Sequence, residues 1–396
     1  MAESYRTTTW ACYLSYVVQS VVNTLPPLLF VTFQHLYGLT VAQLGLLVVL
    51  NFGSQVVIDL LSAPIADHFG YRTTMVFGHL CALAGLVLMA ILPQVIGFLG
   101  IVLAMIPNAL GGGIVEVLVS PIVEAIPDEK AKSGALTMLF GFYSWGTVLT
   151  VLGTTALYHY LGIARWYWIS LCWIFLPLLC IALFFHCPIA PLIKEGEQGM
   201  TGRELARKPV FLVLFAMMGI ASCAEFGISQ WASYFAETGL GVSKTMGDVL
   251  GPCLFFLLMG LVRMTLGRRG DIPVRKAIIL GSLCCFVGYL LTVFSPYPMV
   301  SLLGCAACGA ATALFWPGTF SLAGELLPLG GTTMYSLMAF SGDLGCAIGP
   351  EFISLFSWGG DIRHGLLLAS LFPLVMALLC ALLPLAAGNT GSRDPL

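Results

Sequence analysis

The chain has 396 residues, of which 59% are hydrophobic and only 9% are charged, and its formal net charge is −2. A soluble domain carries about 25% charged residues, so this composition excludes an ordinary water-soluble globule. The small net charge gives no sign of nucleic-acid binding. Most of the 13 cysteines lie inside apolar runs, where cysteine acts as a small hydrophobe. We therefore expect no cofactor and no metal site.

The apolar runs predict twelve membrane spans, since a bilayer core about 30 Å thick requires about 20 apolar residues per helix. The spans lie near 9–35, 41–66, 73–93, 97–125, 134–158, 164–185, 209–236, 245–267, 275–294, 299–326, 331–357 and 362–385. The polar stretch 186–208 divides them six and six. We predict an all-α membrane protein with twelve transmembrane helices in two pseudo-symmetric six-helix bundles, 1–185 and 209–396, joined by a cytoplasmic linker at 186–208.

The distribution of Lys and Arg predicts the orientation. If both termini are cytoplasmic, most of the 17 Lys and Arg residues fall on the cytoplasmic side, as the positive-inside rule requires. We expect a multi-pass protein of a bacterial cytoplasmic membrane, with a short cytoplasmic tail after the last span.

The second predicted span carries a polar stripe. Asn51, Gln55 and Asp59 are spaced by four and share one helix face. Lipid does not accommodate such a stripe, so the face should line the bundle interior. Asn23 in the first span adds another amide, while the position that matches Asp59 in the second half holds Arg263.

A charged turn follows this span and is repeated half a chain later. The first copy runs Ala63-Pro-Ile-Ala-Asp67-His-Phe-Gly70-Tyr-Arg72, and the weaker copy contains Asp271 and Lys276. Such a repeat between hydrophobic spans indicates two homologous membrane bundles, the construction typical of transporters.

The first copy resembles the signature of the major facilitator superfamily, G-x-L-A-D-R-x-G-R-R/K, between helices 2 and 3. Asp67, Gly70 and Arg72 match it. The resemblance implies this superfamily's fold and transport by alternating access. It also implies gating by the two turns, since this Asp faces the N-terminal end of helix 11 when such transporters are open outward. On that basis Asp67, Gly70, Arg72, Asp271 and Lys276 are the gating residues.

The fourth span shows a finer resemblance. Its sequence Gly111-Gly-Gly-Ile-Val-Glu116, followed by Ser120-Pro, is similar to G-x-x-x-E-x-x-x-N-P of the fucose:proton symporter-like branch. The resemblance implies that Glu116 transfers the coupling proton. The branch also has an Asp in helix 1, but Thr24 stands at that position here.

Two carboxylates are the candidates for proton coupling. A carboxyl group removed from water takes up a proton more readily, so Glu116 could exchange one as its cavity opens. Its alternatives are a sugar-hydroxyl acceptor and a structural hydrogen bond. Glu225 shares a polar stripe with Ser222 and Ser229 in the seventh span and could replace the missing helix-1 carboxylate. A structural hydrogen bond is the alternative for Glu225.

The remaining candidates would line a substrate cavity. Arg263 could neutralise Glu225 or Asp343, or hold an anionic substrate. Aromatic rings beside polar residues are typical of sugar sites, although an interfacial aromatic belt is the alternative. The cavity prediction comprises Asn23, Asn51, Gln55, Asp59, Ser120, Tyr143, Gln230, Trp231, Arg263, Trp316 and Asp343.

These features predict a secondary active transporter, a proton-coupled symporter for a small polar solute such as a sugar, with sodium as another possible coupling ion. An exporter of amphipathic or drug-like compounds by proton antiport is the alternative. No catalytic motif is present, so we do not expect an enzyme. The expected partners are the solute, protons and the lipid bilayer, with no nucleic acid, and the protein should be a monomer.

Overall fold

A computed structural model describes residues 5–39, 41–126, 132–190, 199–236, 240–242, 246–247, 249–269, 272–357 and 362–388. Within these ranges the regular backbone is helical and contains no strand. Asp271 lies outside them, as do residues 191–198 of the predicted linker.

The described part of the first half of the chain forms seven α-helices. They are α1 (Arg6–Leu28), α2 (Phe30–Tyr37), α3 (Val41–Phe69), α4 (Tyr71–Glu124), α5 (Lys132–Leu161), α6 (Trp166–Cys172) and α7 (Phe175–His186). The described part of the second half adds α8 (Gly202–Ala206), α9 (Pro209–Tyr234), α10 (Leu254–Arg269), α11 (Val274–Phe294), α12 (Pro298–Thr312), α13 (Phe315–Leu326), α14 (Gly331–Leu355), α15 (Ile362–Ala369) and α16 (Leu371–Gly388). A π-helical turn, Val249–Cys253, precedes α10.

Nine helical segments in the described ranges are long and apolar enough to cross a membrane. One of them, Tyr71–Glu124, has 54 residues and non-helical backbone angles at Ile96 and at Gly97, where φ is +56°. That positive φ favours glycine. The bend falls between the spans predicted at 73–93 and 97–125, so α4 comprises both of them.

Several predicted spans consist of two consecutive helices with a break between them. In three of them, a proline is the third residue of the second helix. Pro177 follows the break between α6 and α7, Pro317 the break between α12 and α13, and Pro373 the break between α15 and α16. Proline has no backbone N–H and cannot bond the carbonyl four residues before it. The sequence-based spans did not resolve these breaks.

The predicted linker contains one short helix, α8. Its N-terminus is closed by a capping box in which Thr201 and Glu204 bond each other's backbone N–H. Hydrogen bonds from the Thr201 N–H and hydroxyl, at 2.7 and 2.9 Å, lower the pKa of Glu204. The linker prediction therefore omitted a helical turn.

The chain groups into two compact units. Unit 1 comprises residues 1–127 and 142–192, and unit 2 comprises residues 128–141 and 193–396. The first part of α5 thus packs within unit 2. The predicted bundle boundaries at 185 and 209 stay a prediction.

Within each unit, long polar side chains reach carbonyls that a proline leaves without a helical donor. In α1, Pro26 frees the carbonyl of Val22, which accepts a hydrogen bond from Asn108 Nδ2 at 3.2 Å. In unit 2, Pro384 frees the carbonyl of Cys380, which accepts from Arg275 Nε at 3.2 Å. A buried carbonyl needs such a partner, so these contacts complete the helices that proline interrupts.

Asn108→Leu should lower the unfolding free energy by about 1–3 kcal/mol, because it leaves the Val22 carbonyl buried without a donor. Pro26→Ala restores the backbone N–H, so the same substitution should cost less in that background. Melting temperatures of the purified single and double variants measure this coupling. Pro27→Ala, which restores a different hydrogen bond, is the matched control. If Asn108→Leu lowered the unfolding free energy equally in the wild type, Pro26→Ala and Pro27→Ala, Asn108 would not be compensating for Pro26.

Candidate functional site

The carboxylate of Glu116 is held by an amide in unit 1. Its side chain, on α4, is 9% exposed, and Oε2 accepts a hydrogen bond of 2.6 Å from Gln19 Nε2 of α1. The same nitrogen lies 3.3 Å from Gln55 Oε1 of α3. Three helices therefore meet around one buried amide. Gln19 was not among the predicted site residues, although it lies one turn from Asn23.

Further amides extend this contact. Gln55 Nε2 donates to Asn23 Oδ1 at 2.9 Å, and Asn51 Nδ2 donates to the same oxygen at 3.4 Å. The structure therefore brings together four of the predicted residues, Asn23, Asn51, Gln55 and Glu116. We refer to these four with Gln19 as the amide cluster.

Three successive glycines let the neighbouring helices approach Glu116. A Cβ on Gly111 would lie 2.5 Å from Ala82 N in the first part of α4, and a Cβ on Gly112 would lie 2.6 Å from Gln19 Oε1. Gly113 faces α3. Because successive residues of a helix point about 100° apart, each glycine serves a different neighbour. A larger residue at Gly112 would displace Gln19 of the amide cluster.

Other predicted residues of unit 1 lie close by. Asp59 is fully buried, and its Oδ1 lies 3.6 Å from the position of a Cβ on Gly113. Ser120 Oγ lies 3.4 Å from the hydroxyl of Tyr16, and the Tyr16 ring packs edge-on against Tyr143 at 6.1 Å. Sequence reasoning missed Tyr16, although it lies three residues before Gln19 on the same helix face.

Arg263 of α10 is buried within unit 2, with 1% of its surface exposed. Its Nη2 lies 3.5 Å from Glu225 Oε2. Its Nε donates to the carbonyl of Ala313 at 2.8 Å, and Nη1 donates to that of Phe140 at 3.2 Å. Pro317 frees the Ala313 carbonyl. Of the partners that the sequence left open for Arg263, the structure shows an ion pair with Glu225.

Aromatic rings lie on the Arg263 side of this ion pair. The Arg263 Cζ lies 5.6 Å from the centre of the Phe140 ring, and the Trp316 ring lies 6.1 Å from the same centre. Trp316 packs on Gly342, the residue before the buried Asp343. We refer to Arg263, Glu225, Phe140 and Trp316 as the arginine cluster. Phe140 was not predicted, since nothing in its local sequence sets it apart.

The other aromatic and amide predictions of α9 fall elsewhere. Trp231 Nε1 donates to the carbonyl of Pro350 at 3.0 Å, and Gln230 is exposed. Trp231 therefore bonds a backbone carbonyl and Gln230 is open to the surface, whereas Glu225 of the same helix is buried beside Arg263. A cavity role for Trp231 or Gln230 stays a prediction.

The charged turn connects α3 to α4. Asp67 is exposed, and Gly70 has a φ of +83°, a conformation that favours glycine. Arg72 donates to the carbonyls of Phe184, Phe185 and Cys187 at 2.7–3.0 Å, where α7 ends. It therefore closes a helix end whose carbonyls have no helical donors.

In the second copy of the turn, Arg275 makes the matching contacts. It donates to the carbonyls of Cys380 and Ala381, at 3.2 and 3.4 Å. Lys276, the residue predicted as the counterpart of Arg72, is exposed. The gating role of Lys276 stays a prediction.

Comparison with known proteins supplies the family context. The model of the Major Facilitator Superfamily matches residues 12–350. An uncharacterized MFS-type transporter of Yersinia pestis is 25% identical over 340 residues, which cover 81% of each chain.

Solved structures show the same fold. FucP, the E. coli fucose:proton symporter, matches in its outward conformation with a TM-score of 0.83 and 16% identity, over 96% of this chain and 99% of that one. XylE, a proton:xylose symporter bound to 6-bromo-6-deoxy-D-glucose, matches with a TM-score of 0.80 and 13% identity, over 94% of each chain. These matches confirm the predicted fold class.

Proposed function

The chain belongs to the major facilitator superfamily and is a multi-pass membrane transporter, and from this premise we propose that it moves a small polar solute, a sugar or a related compound, together with protons. The observation that carries the proposal is the amide cluster around the buried Glu116 carboxylate. The similarity in fold between this chain and two sugar:proton symporters supports the solute class.

The amide cluster is suited to a solute rich in hydroxyl groups. An amide both donates and accepts hydrogen bonds, as a sugar hydroxyl does. Gln55 donates to Asn23 and accepts from Gln19. A hydroxyl can also donate and accept, so it could replace one of these amide contacts. This favours a polar solute over the amphipathic compounds of the alternative function.

Glu116 is suited to carrying a proton. Its side chain is largely removed from water, which disfavours the charged form of a carboxyl group, and the group that bonds its Oε2 is a neutral amide and not a cation. Gln19 can serve both states, because its amide has a donor nitrogen and an acceptor oxygen. Sodium would use the same oxygen atoms, so the two ions must be separated by experiment.

Uptake into proteoliposomes tests the proposal. With the purified protein, an inward proton gradient should drive accumulation of at least one member of a panel of radiolabelled neutral sugars and sugar acids. A protonophore should abolish that accumulation, and a sodium gradient alone should not drive it. Accumulation that follows sodium instead would overturn proton coupling. Uptake restricted to amphipathic compounds would overturn the solute class.

Asp67→Asn should slow turnover severalfold while leaving solute affinity little changed, because we assign Asp67 to gating and not to binding. A carboxylate at a helix N-terminus contributes about 0.3–1 kcal/mol, which would be lost from one state of the transport cycle. Initial uptake rates and solute binding measure the two effects. The neighbouring exposed residue supplies the control, His68→Asn. Normal turnover with lost binding would contradict the gating role.

A further inference from the structure

We propose that uptake of a proton by Glu116 reverses the direction of the hydrogen bonds in the amide cluster, so that Asn23 and Asn51 present different groups to the solute. This inference rests on the proposed function and deepens it, because the proton then changes solute recognition through intervening side chains. Gln19 and Gln55 are the positioning residues between the proton and the two asparagines.

In the charged state of Glu116, the amides of the cluster can point in one direction only. A carboxylate has no proton to donate, so Gln19 must turn its amide nitrogen toward Glu116 Oε2, at 2.6 Å. The second hydrogen of that nitrogen faces Gln55 Oε1, at 3.3 Å. Gln55 Nε2 then faces Asn23 Oδ1 at 2.9 Å, and Asn51 Nδ2 faces the same oxygen at 3.4 Å. The charge on one side chain thus fixes the orientation of four amides.

Two oxygen atoms of the cluster accept no hydrogen bond from the described part of the chain in this arrangement. They are Gln19 Oε1 and Asn51 Oδ1, on residues that are 1% and 6% exposed. Buried acceptors are normally paired. One of these residues bonds Glu116 and the other ends the series of amides, and each oxygen becomes an acceptor if the bonds reverse.

A proton on Oε2 makes Glu116 a donor that requires an acceptor. A half-turn of the Gln19 amide places Oε1 where Nε2 was. Gln55, Asn23 and Asn51 must then turn as well, since two oxygens or two amide nitrogens would otherwise face each other. Each contact is kept, because a nitrogen with two hydrogens changes place with an oxygen with two lone pairs. The number of bonds within the cluster is the same in both directions, so the proton decides between them.

Asn23 is the open end of the cluster, since it is half-buried while Gln19 and Gln55 are buried. In the charged state, the cluster uses the Asn23 oxygen twice and leaves its nitrogen for the solute. In the protonated state, the cluster uses the nitrogen and leaves the oxygen, while Asn51 offers its nitrogen. Symport requires that proton and solute favour each other. The transported solute should therefore donate to Asn23 and accept from Asn51.

Other buried titratable side chains lie on the helices that pack around Glu116. They are Cys12 and Tyr16 of α1, Asp59 of α3, His79 in the first part of α4, and Cys180 of α7. Asp59 must be separated from Glu116 by experiment, because it lies one turn after Gln55 and faces Gly113. A change in its charge would act on the same amides. The test therefore includes a variant at each carboxylate.

Infrared difference spectra of the purified full-length protein test the inference, because they record carboxyl and side-chain amide groups separately. With isotope-labelled asparagine, lowering the pH should protonate Glu116 and shift the asparagine amide bands with the same midpoint. Gln55→Met removes the central amide but leaves Gln19 to bond Glu116, so the carboxyl band should still titrate and the asparagine shift should be lost. Gln94→Met is the matched control, because this amide bonds the carbonyl of Ala90 in its own helix.

The two carboxylate variants complete the test. Glu116→Gln should abolish the asparagine shift, and Asp59→Asn should retain it. A carboxyl band that titrates without an asparagine shift in the wild type would overturn the reversal, as would an undiminished shift in Gln55→Met or in Glu116→Gln. Such results would leave the proposed function in place, since Glu116 could still carry a proton. If the Glu116 carboxyl did not titrate while the protein stayed folded, its proton-carrying role in the proposed function would fail as well.

Discussion

Glu116→Gln should abolish the pH-driven accumulation of solute while leaving solute binding and exchange. Glutamine has the shape and hydrogen-bonding capacity of the protonated side chain but cannot release a proton. Gln19 can still bond it through its amide oxygen, so the packing of the amide cluster should remain. Uptake under an imposed proton gradient, compared with exchange at equal pH, measures the difference.

The matched control for this variant is Glu124→Gln at the end of the same helix, α4. It removes a carboxylate outside the amide cluster and should retain accumulation. If Glu116→Gln accumulates solute as the wild type does, Glu116 does not carry the coupling proton.

Glu225→Gln should impair pH-driven uptake about as severely as Glu116→Gln, whereas Thr24→Ala should have a mild effect. Glu225 is the carboxylate paired with Arg263, and its amide analogue cannot alternate between a charged and a neutral partner. Initial uptake rates at several external pH values test this prediction.

Normal uptake and a normal response to a pH gradient in Glu225→Gln would make Glu225 structural. Coupling would then depend on Glu116, Asp59 or Asp343. A severe loss in Thr24→Ala would instead indicate a role in the transport cycle for a residue that cannot titrate.

Helical spacing was sufficient to predict part of the candidate site. Asn51, Gln55 and Asp59 share one face of α3 because they are four residues apart, and two of them lie in the amide cluster. Their contact with Gln19 and Glu116 was not predictable, because it depends on which helices pack together and how closely. The three glycines indicated close approach but not which neighbours would approach.

The arginine cluster was harder to predict. Arg263 stood out as a charge within a span, but several carboxylates were equally plausible partners. Phe140 contributes a backbone carbonyl and a ring, and no sequence pattern indicates either contact. The repeat pointed to Lys276, whose gating role stays a prediction. It did not indicate the carbonyl contacts of Arg275, which lies one residue earlier and so about 100° away around the helix.

The carbonyls freed by proline also have a consequence for the synthesis of the protein. The Val22 carbonyl receives its donor from Asn108, 86 positions later in the chain, whereas the Cys380 carbonyl lies 105 positions after its donor, Arg275. In hydrocarbon, a peptide group without a partner costs several kcal/mol. An early span that entered the bilayer alone would carry this cost until the chain that supplies the donor emerged from the ribosome. We expect α1 to remain beside the insertion machinery until the second part of α4 has been translated, so that these helices enter the lipid as a group.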